Sequence, residues 1–195
     1  MPAERPPLRS PALLNREDSR LLIVDMQEKL LRLMPDVQPV IDNCVLLVEA
    51  ARILGVPVHS TEQYPQGLGP TIEPLRTLLG ELPPKLHFSC CPALEWTESA
   101  GGADRTKVVV AGIEAHVCVQ QTVLDLLAAG FAVYLVADAV ASRFEIDTRY
   151  ALQRLRDSGA TITTAEAVLF EWCEVAGTPE FKQISALVKR RAAAR

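Results

Sequence analysis

KVVVAGIEAHVCV, residues 107–119, decides how this chain is read. Residues 107–111 form an apolar run behind a lysine, and its valines are stiff at χ1 and favour the extended backbone. Gly112 ends the run, and six residues later Cys118 stands near the opening of an apolar, helix-like segment, 117–129, closed by Gly130. A run without apolar–polar alternation suits a central strand covered on both faces. The stretch therefore predicts a strand, a turn and a helix with a cysteine at the join.

The same alternation extends in both directions. Upstream, the apolar run 21–24 ends at Asp25, and segment 37–54 carries Val40, Val45, Val48 and Ile53 at helical spacing, with Asp36 as N-cap and Gly55 as stop. Residues 56–60 read as a second strand with Pro57 near its start, and 61–71, rich in Pro and Gly, as a loop. Segment 72–79 is weakly helical and 85–89 is a third short strand. Downstream come a strand at 132–136, a helix at 146–158, a strand at 161–164 and a terminal helix at 179–190. This order predicts a Rossmann-like three-layer α/β fold: a six-stranded, mostly parallel sheet with helices on both faces. Such sheets bind ligands at the carboxyl ends of the strands, near the topological switch point, where Asp25 and Cys118 both fall.

With 195 residues, 49% of them hydrophobic, the chain can build one core. The expected division is a flexible Pro-rich arm (1–19), one α/β domain (20–190) and a basic tail (191–195). A net charge of −4 argues against nucleic acid as a partner, and Lys189, Arg190, Arg191 and Arg195 read as a solvated end. Apolar runs are too short for a membrane span. Five cysteines without paired spacing suit a reducing compartment, so the cytoplasm is the expected location, with nucleus and mitochondrion open. Glu4, Glu17 and Asp18 weaken a transit-peptide reading of the arm.

Free cysteine is ordinarily a small buried hydrophobe. Cys118 differs by its position at a helix start, where orphan N–H groups and the helix dipole favour the thiolate. A cation such as Lys85 lowers a thiol pKa further, and an anion such as Asp25 raises it again. Taken singly, Asp25 also reads as a capping aspartate and Lys85 as a solvated lysine at a strand end.

LLIVDMQ with Asp25, K-x-x-F-S with Lys85 and AGIEAHVCV with Cys118, in that order, resemble the isochorismatase-like (cysteine hydrolase) superfamily over residues 20–176, and most of all its isochorismatase domain-containing members. The resemblance implies a triad in which Cys118 is the nucleophile, Asp25 takes its proton and Lys85 orients both. It also implies a cis peptide at Ile113–Glu114 and an oxyanion hole from the backbone N–H groups of Glu114 and Cys118; no cofactor is expected, and since family members commonly assemble, a homo-oligomer is left open. Nicotinamidases of the superfamily bind a metal after the second strand. Here that region reads HSTEQYPQGLGPT with His59 alone, so neither a catalytic metal nor nicotinamide as main substrate is expected.

Tyr64, Phe88 and His116 flank the motifs and are the expected lining of a substrate pocket. The expected function is a metal-independent cysteine hydrolase that cleaves a small amide or carbamoyl-type C–N bond through an acyl-enzyme. The alternative is a catalytically silent member acting as a binding or regulatory protein. Isochorismate hydrolysis ranks third, since cleaving a vinyl ether rests on acid chemistry and needs no thiol.

Overall fold

The computed structural model describes residues 8–80, 82–94 and 105–193. Residues 1–7 of the expected arm and Arg195 of the expected tail lie outside them. Strands β1 (Ser19–Val24), β2 (Val58–Gln63), β3 (Pro84–Lys85), β4 (Lys107–Ile113), β5 (Ala132–Ala141) and β6 (Thr161–Thr163) pair in parallel in the order β3-β2-β1-β4-β5-β6. The chain begins at β1, moves outward to β3, and returns past β1 to β4. The switch point therefore lies between β1 and β4.

The apolar run of β1 serves two cores. Successive side chains of a strand point to opposite faces, so Leu21 and Ile23 pack on one side while Leu22 and Val24 pack on the other. The first face is covered by α2 (Gln38–Leu54), α8 (Ala165–Cys173) and α9 (Pro179–Ala193), with Trp172 buried beneath α8. The second is covered by α6 (Gln120–Ala128) and α7 (Glu145–Asp157). Short helices α1 (Glu28–Leu31), α3 (Pro65–Leu68), α4 (Leu75–Leu79) and α5 (Cys91–Leu94) lie in the connections. Among the described residues, no helix is long and apolar enough to cross a membrane.

Several expected boundaries move. Helix α2 starts one residue late, with Val37 as its N-cap residue and Asp36 at a positive φ of 51°. Strand β2 runs on to Gln63, into the expected loop, which also holds α3. Strand β3 stops at Lys85, because the next residues bend back to place their carbonyls on the Lys85 ammonium. Part of the expected arm is tied down: Leu14 is fully buried, and Arg9 Nη2 donates to Leu14 O (2.8 Å) and Glu171 O (2.7 Å). Arg191, expected in a solvated tail, lies within α9.

Strand β5 is longer than expected and irregular. Its pairing with β4 jumps from Val110↔Leu135 to Gly112↔Val140, leaving the intervening residues of β5 free to bulge. Asp138 sits in this bulge. Its Oδ1 accepts from the Ala165 N–H at the start of α8 (2.7 Å), and its Oδ2 lies 2.7 Å from Arg191 Nη2. Gly112, opposite Val24, has φ +115°, and a Cβ there would lie 2.2 Å from the Val24 carbonyl oxygen. Only glycine lets β4 approach β1 so closely.

Candidate active site

Strand β1 delivers Asp25 at the switch point. The residue has a positive φ of 48°, and its carbonyl accepts from the Gln27 N–H at 2.7 Å, so the chain turns sharply as it leaves the sheet. The carboxyl group is fully buried. Its Oδ2 lies 2.7 Å from Lys85 Nζ, its Oδ1 accepts from Thr61 Oγ1 at 2.8 Å, and the Cys118 thiol is close enough to act on its ionisation. Burial raises the Asp25 pKa, against the opposing pull of Lys85, Cys118 and Thr61.

Lys85 reaches this carboxylate from the edge strand. Its ammonium is also buried and donates to Gln63 Oε1 (2.7 Å), Phe88 O (2.9 Å) and, at longer range, His87 O (3.3 Å). Burial pulls its pKa down, but Asp25 and the two nearby thiols pull harder, and the net direction is upward. The cation is therefore permanent at neutral pH.

Cys118 comes from the switch point's other side. After β4 the Ile113–Glu114 peptide is cis, and residues Ala115–Val119 form a single π-helical turn before α6 begins. Thr122 Oγ1 donates to Cys118 O (2.6 Å) and accepts from the Cys90 N–H (2.9 Å), which pins the turn to the segment after β3. The sulfur is 3.9 Å from Gln63 Oε1. Its pKa moves up, chiefly by burial and then by Asp25, with Lys85 opposing. The sequence expectation had the helix end and Lys85 lowering the thiol pKa and Asp25 raising it again; in the folded protein desolvation, which that reading left out, is the largest influence, and the net direction is upward.

The expected pocket residues divide. Tyr64 and Phe88 are half-exposed and hang on Lys85 itself, since the Tyr64 N–H donates to Lys85 O (2.8 Å) and Phe88 O accepts from Nζ. The His116 ring is committed elsewhere: Nδ1 pairs with Ser142 Oγ at 2.9 Å, and Nε2 faces Asp147 Oδ2 at 3.8 Å. His59 is not at a strand end. It pairs in register with Leu22 near the start of β2, and burial followed by Arg20 lowers its pKa to about 4. Among the described residues, no group of three or more His, Cys, Asp or Glu side chains is arranged to hold a metal ion.

Sequence reasoning passed over the polar residues that join these groups. Gln63 N–H donates to Gln27 Oε1 (2.8 Å), and Gln27 Nε2 donates to Gln63 O (3.0 Å), so a side chain extends the ladder between the ends of β1 and β2. Thr61 Oγ1 touches Cys90 Sγ at 3.2 Å as well as Asp25. Burial, and then Asp25, push the Cys90 thiol up to about 11. The available signal was Thr61 and Gln63 two apart, on one face of an extended β2.

Residues 19–167 match the profile of the isochorismatase domain, which contains β1 through the first turn of α8. The chain belongs to the isochorismatase family. It is 39% identical to isochorismatase domain-containing protein 2 of Danio rerio over 175 residues, 90% of this chain and 89% of that one. Among solved structures of the isochorismatase-like fold, a Caenorhabditis elegans protein described as MAR1 ribonuclease superposes with a TM-score of 0.82 at 37% identity, covering 91% of this chain and 92% of its own. The Escherichia coli ycaC gene product, described as an octameric hydrolase of unknown specificity, shares the fold with a TM-score of 0.81 at 22% identity, covering 92% of both chains.

Proposed function

We propose that this isochorismatase-family chain is a metal-independent cysteine hydrolase that cleaves a small amide or carbamoyl-type C–N bond. The observation that carries the reading is the buried Asp25 carboxyl, which pairs with the Lys85 ammonium at 2.7 Å and lies within electrostatic reach of the Cys118 thiol. A thiol beside a buried carboxylate can pass its proton to it as the sulfur attacks.

In the first half-reaction the Cys118 sulfur forms a bond to the substrate carbonyl carbon while its proton passes to Asp25. The backbone N–H groups of Glu114 and Cys118 receive the developing oxyanion. The C–N bond breaks, the amine leaves with the proton from Asp25, and a thioester remains. Water then adds to the thioester carbonyl, giving a proton to Asp25, and the carbon–sulfur bond breaks as that proton returns to sulfur. Lys85 holds Asp25 ionised between steps and balances the charge on sulfur. Tyr64 and Phe88 supply an apolar rim for the acyl group.

The test is ammonia release from a panel of small primary amides and N-carbamoyl compounds, with intact-mass trapping of the adduct. An acyl adduct on Cys118 and inactive Cys118→Ser and Asp25→Asn variants are expected. Turnover by Cys118→Ser at the unaltered rate overturns the reading. The name of the worm relative raises RNA as a competing substrate. The net charge of −4 supplies no basic excess for a phosphate backbone. Exposed Phe144, Ile146 and Tyr150, clustered at the start of α7, suit self-association of this chain.

A further inference from the structure

Two side chains of the turn that carries Cys118 reach across to the same short connection, residues 142–144, between β5 and α7. Glu114 is buried, and its Oε2 accepts both the backbone N–H of Arg143 (3.1 Å) and Arg143 Nε (3.1 Å). Two residues on, His116 Nδ1 pairs with the buried Ser142 Oγ at 2.9 Å, while Nε2 faces Asp147 on α7. The turn is thus fastened on its β5 side by side chains, as Thr122 fastens it on the other through Cys118 O. None of these contacts touches Asp25 or Lys85, and the proton transfers described above do not use them.

We infer that Ser142 and Arg143 are positioning residues that aim the backbone N–H groups of Glu114 and Cys118 at the reacting carbonyl oxygen. The reason lies in what the fastened atoms are. Glu114 is itself one of the two donors and His116 lies between it and the other, Cys118, and a donor displaced by about an ångström loses most of its value. The residue that carries the thiol is held separately, through its backbone carbonyl, by the Thr122 anchor. Loosening the β5 side therefore disturbs the donors more than it disturbs the nucleophile.

This inference rests on the reading of Cys118 as an acylated nucleophile, and the experiment separates the two. Cys118 is challenged with p-nitrophenyl acetate, whose carbonyl passes through an oxyanion, and with iodoacetamide, whose alkylation does not. Both rates are followed at Cys118 by peptide mass spectrometry in the full chain. In Ser142→Ala and Arg143→Ala, acetyl transfer is expected to fall about tenfold or more, and further in the double variant, with alkylation within about twofold of wild type. Ser142→Thr, which keeps the hydroxyl, is expected to restore acetyl transfer. Equal losses of both rates, or no loss of either, overturn the positioning role alone. A wild-type Cys118 that accepts no acetyl group overturns the nucleophile reading and this one with it.

Discussion

Asp25 sits where opposing electrostatic demands meet. Burial raises its pKa while Lys85, Cys118 and Thr61 pull it down, and burial wins. A carboxyl whose folded pKa lies above its unfolded value adds stability at low pH and loses it as pH rises through the folded value, so ionised Asp25 is kept at some cost to the fold. Asp25→Asn removes the carboxylate that the proposed mechanism uses as proton acceptor, without changing the shape. Turnover is expected to fall by about 10²–10⁴-fold, with native circular dichroism retained. Cys118 follows the same sign: its raised pKa means that alkylation by iodoacetamide keeps climbing with pH beyond 9.0, the ordinary thiol value, where a free thiol begins to level off. Cys90 reports on stability instead. Its thiol is pushed up to about 11 from an ordinary 9.0, so the contribution is whole below pH 9 and is lost as pH rises through 11. Melting points measured from pH 8 to about 11 should fall, and Cys90→Ala should flatten that fall.

At the scale of elements, the central strands are the legible part of the sequence. LLIV and VVVA are apolar at every position because each serves two cores, a pattern that a strand covered on both faces demands. Helix α8 is not legible, since its N-terminal cap is Asp138, 27 residues upstream, rather than a side chain of its own. The end of β2 hides for a similar reason: Thr61 and Gln63 are buried polar residues whose partners come from β1, β3 and the segment after β3. Asp25, Lys85 and Cys118 could be picked out by motif. The residues that bridge them could not, because a hydrogen bond across the sheet leaves no local pattern. Gly112 shows how tightly two of these elements approach. Gly112→Ala would combine a positive φ with a Cβ against the Val24 carbonyl. It is expected to lower unfolding free energy by at least about 2–3 kcal/mol in urea titration.

Over the whole molecule, the two faces of the sheet are stabilised differently. Helices α8 and α9 depend on the β5 bulge, where one carboxylate caps one helix and pairs with the other. Asp138→Ala is expected to lower the melting temperature more than Arg191→Ala, which should cost about 1 kcal/mol, or about 2–4 °C in a chain of this size. The opposite edge of the sheet is its smallest part. Strand β3 has two residues, held to β2 by the pairs Glu62↔Pro84 and Gln63↔Lys85, and one of those two residues is the cation of the site. An edge this short can open on its own while the inner strands stay paired. Each opening would withdraw Lys85, release the Tyr64 amide from its carbonyl and leave Asp25 without its counterion. Amide hydrogen exchange should therefore be faster at Tyr64 than at Leu22 or Val109, and urea well below the global transition should abolish the proposed hydrolysis while the core remains folded.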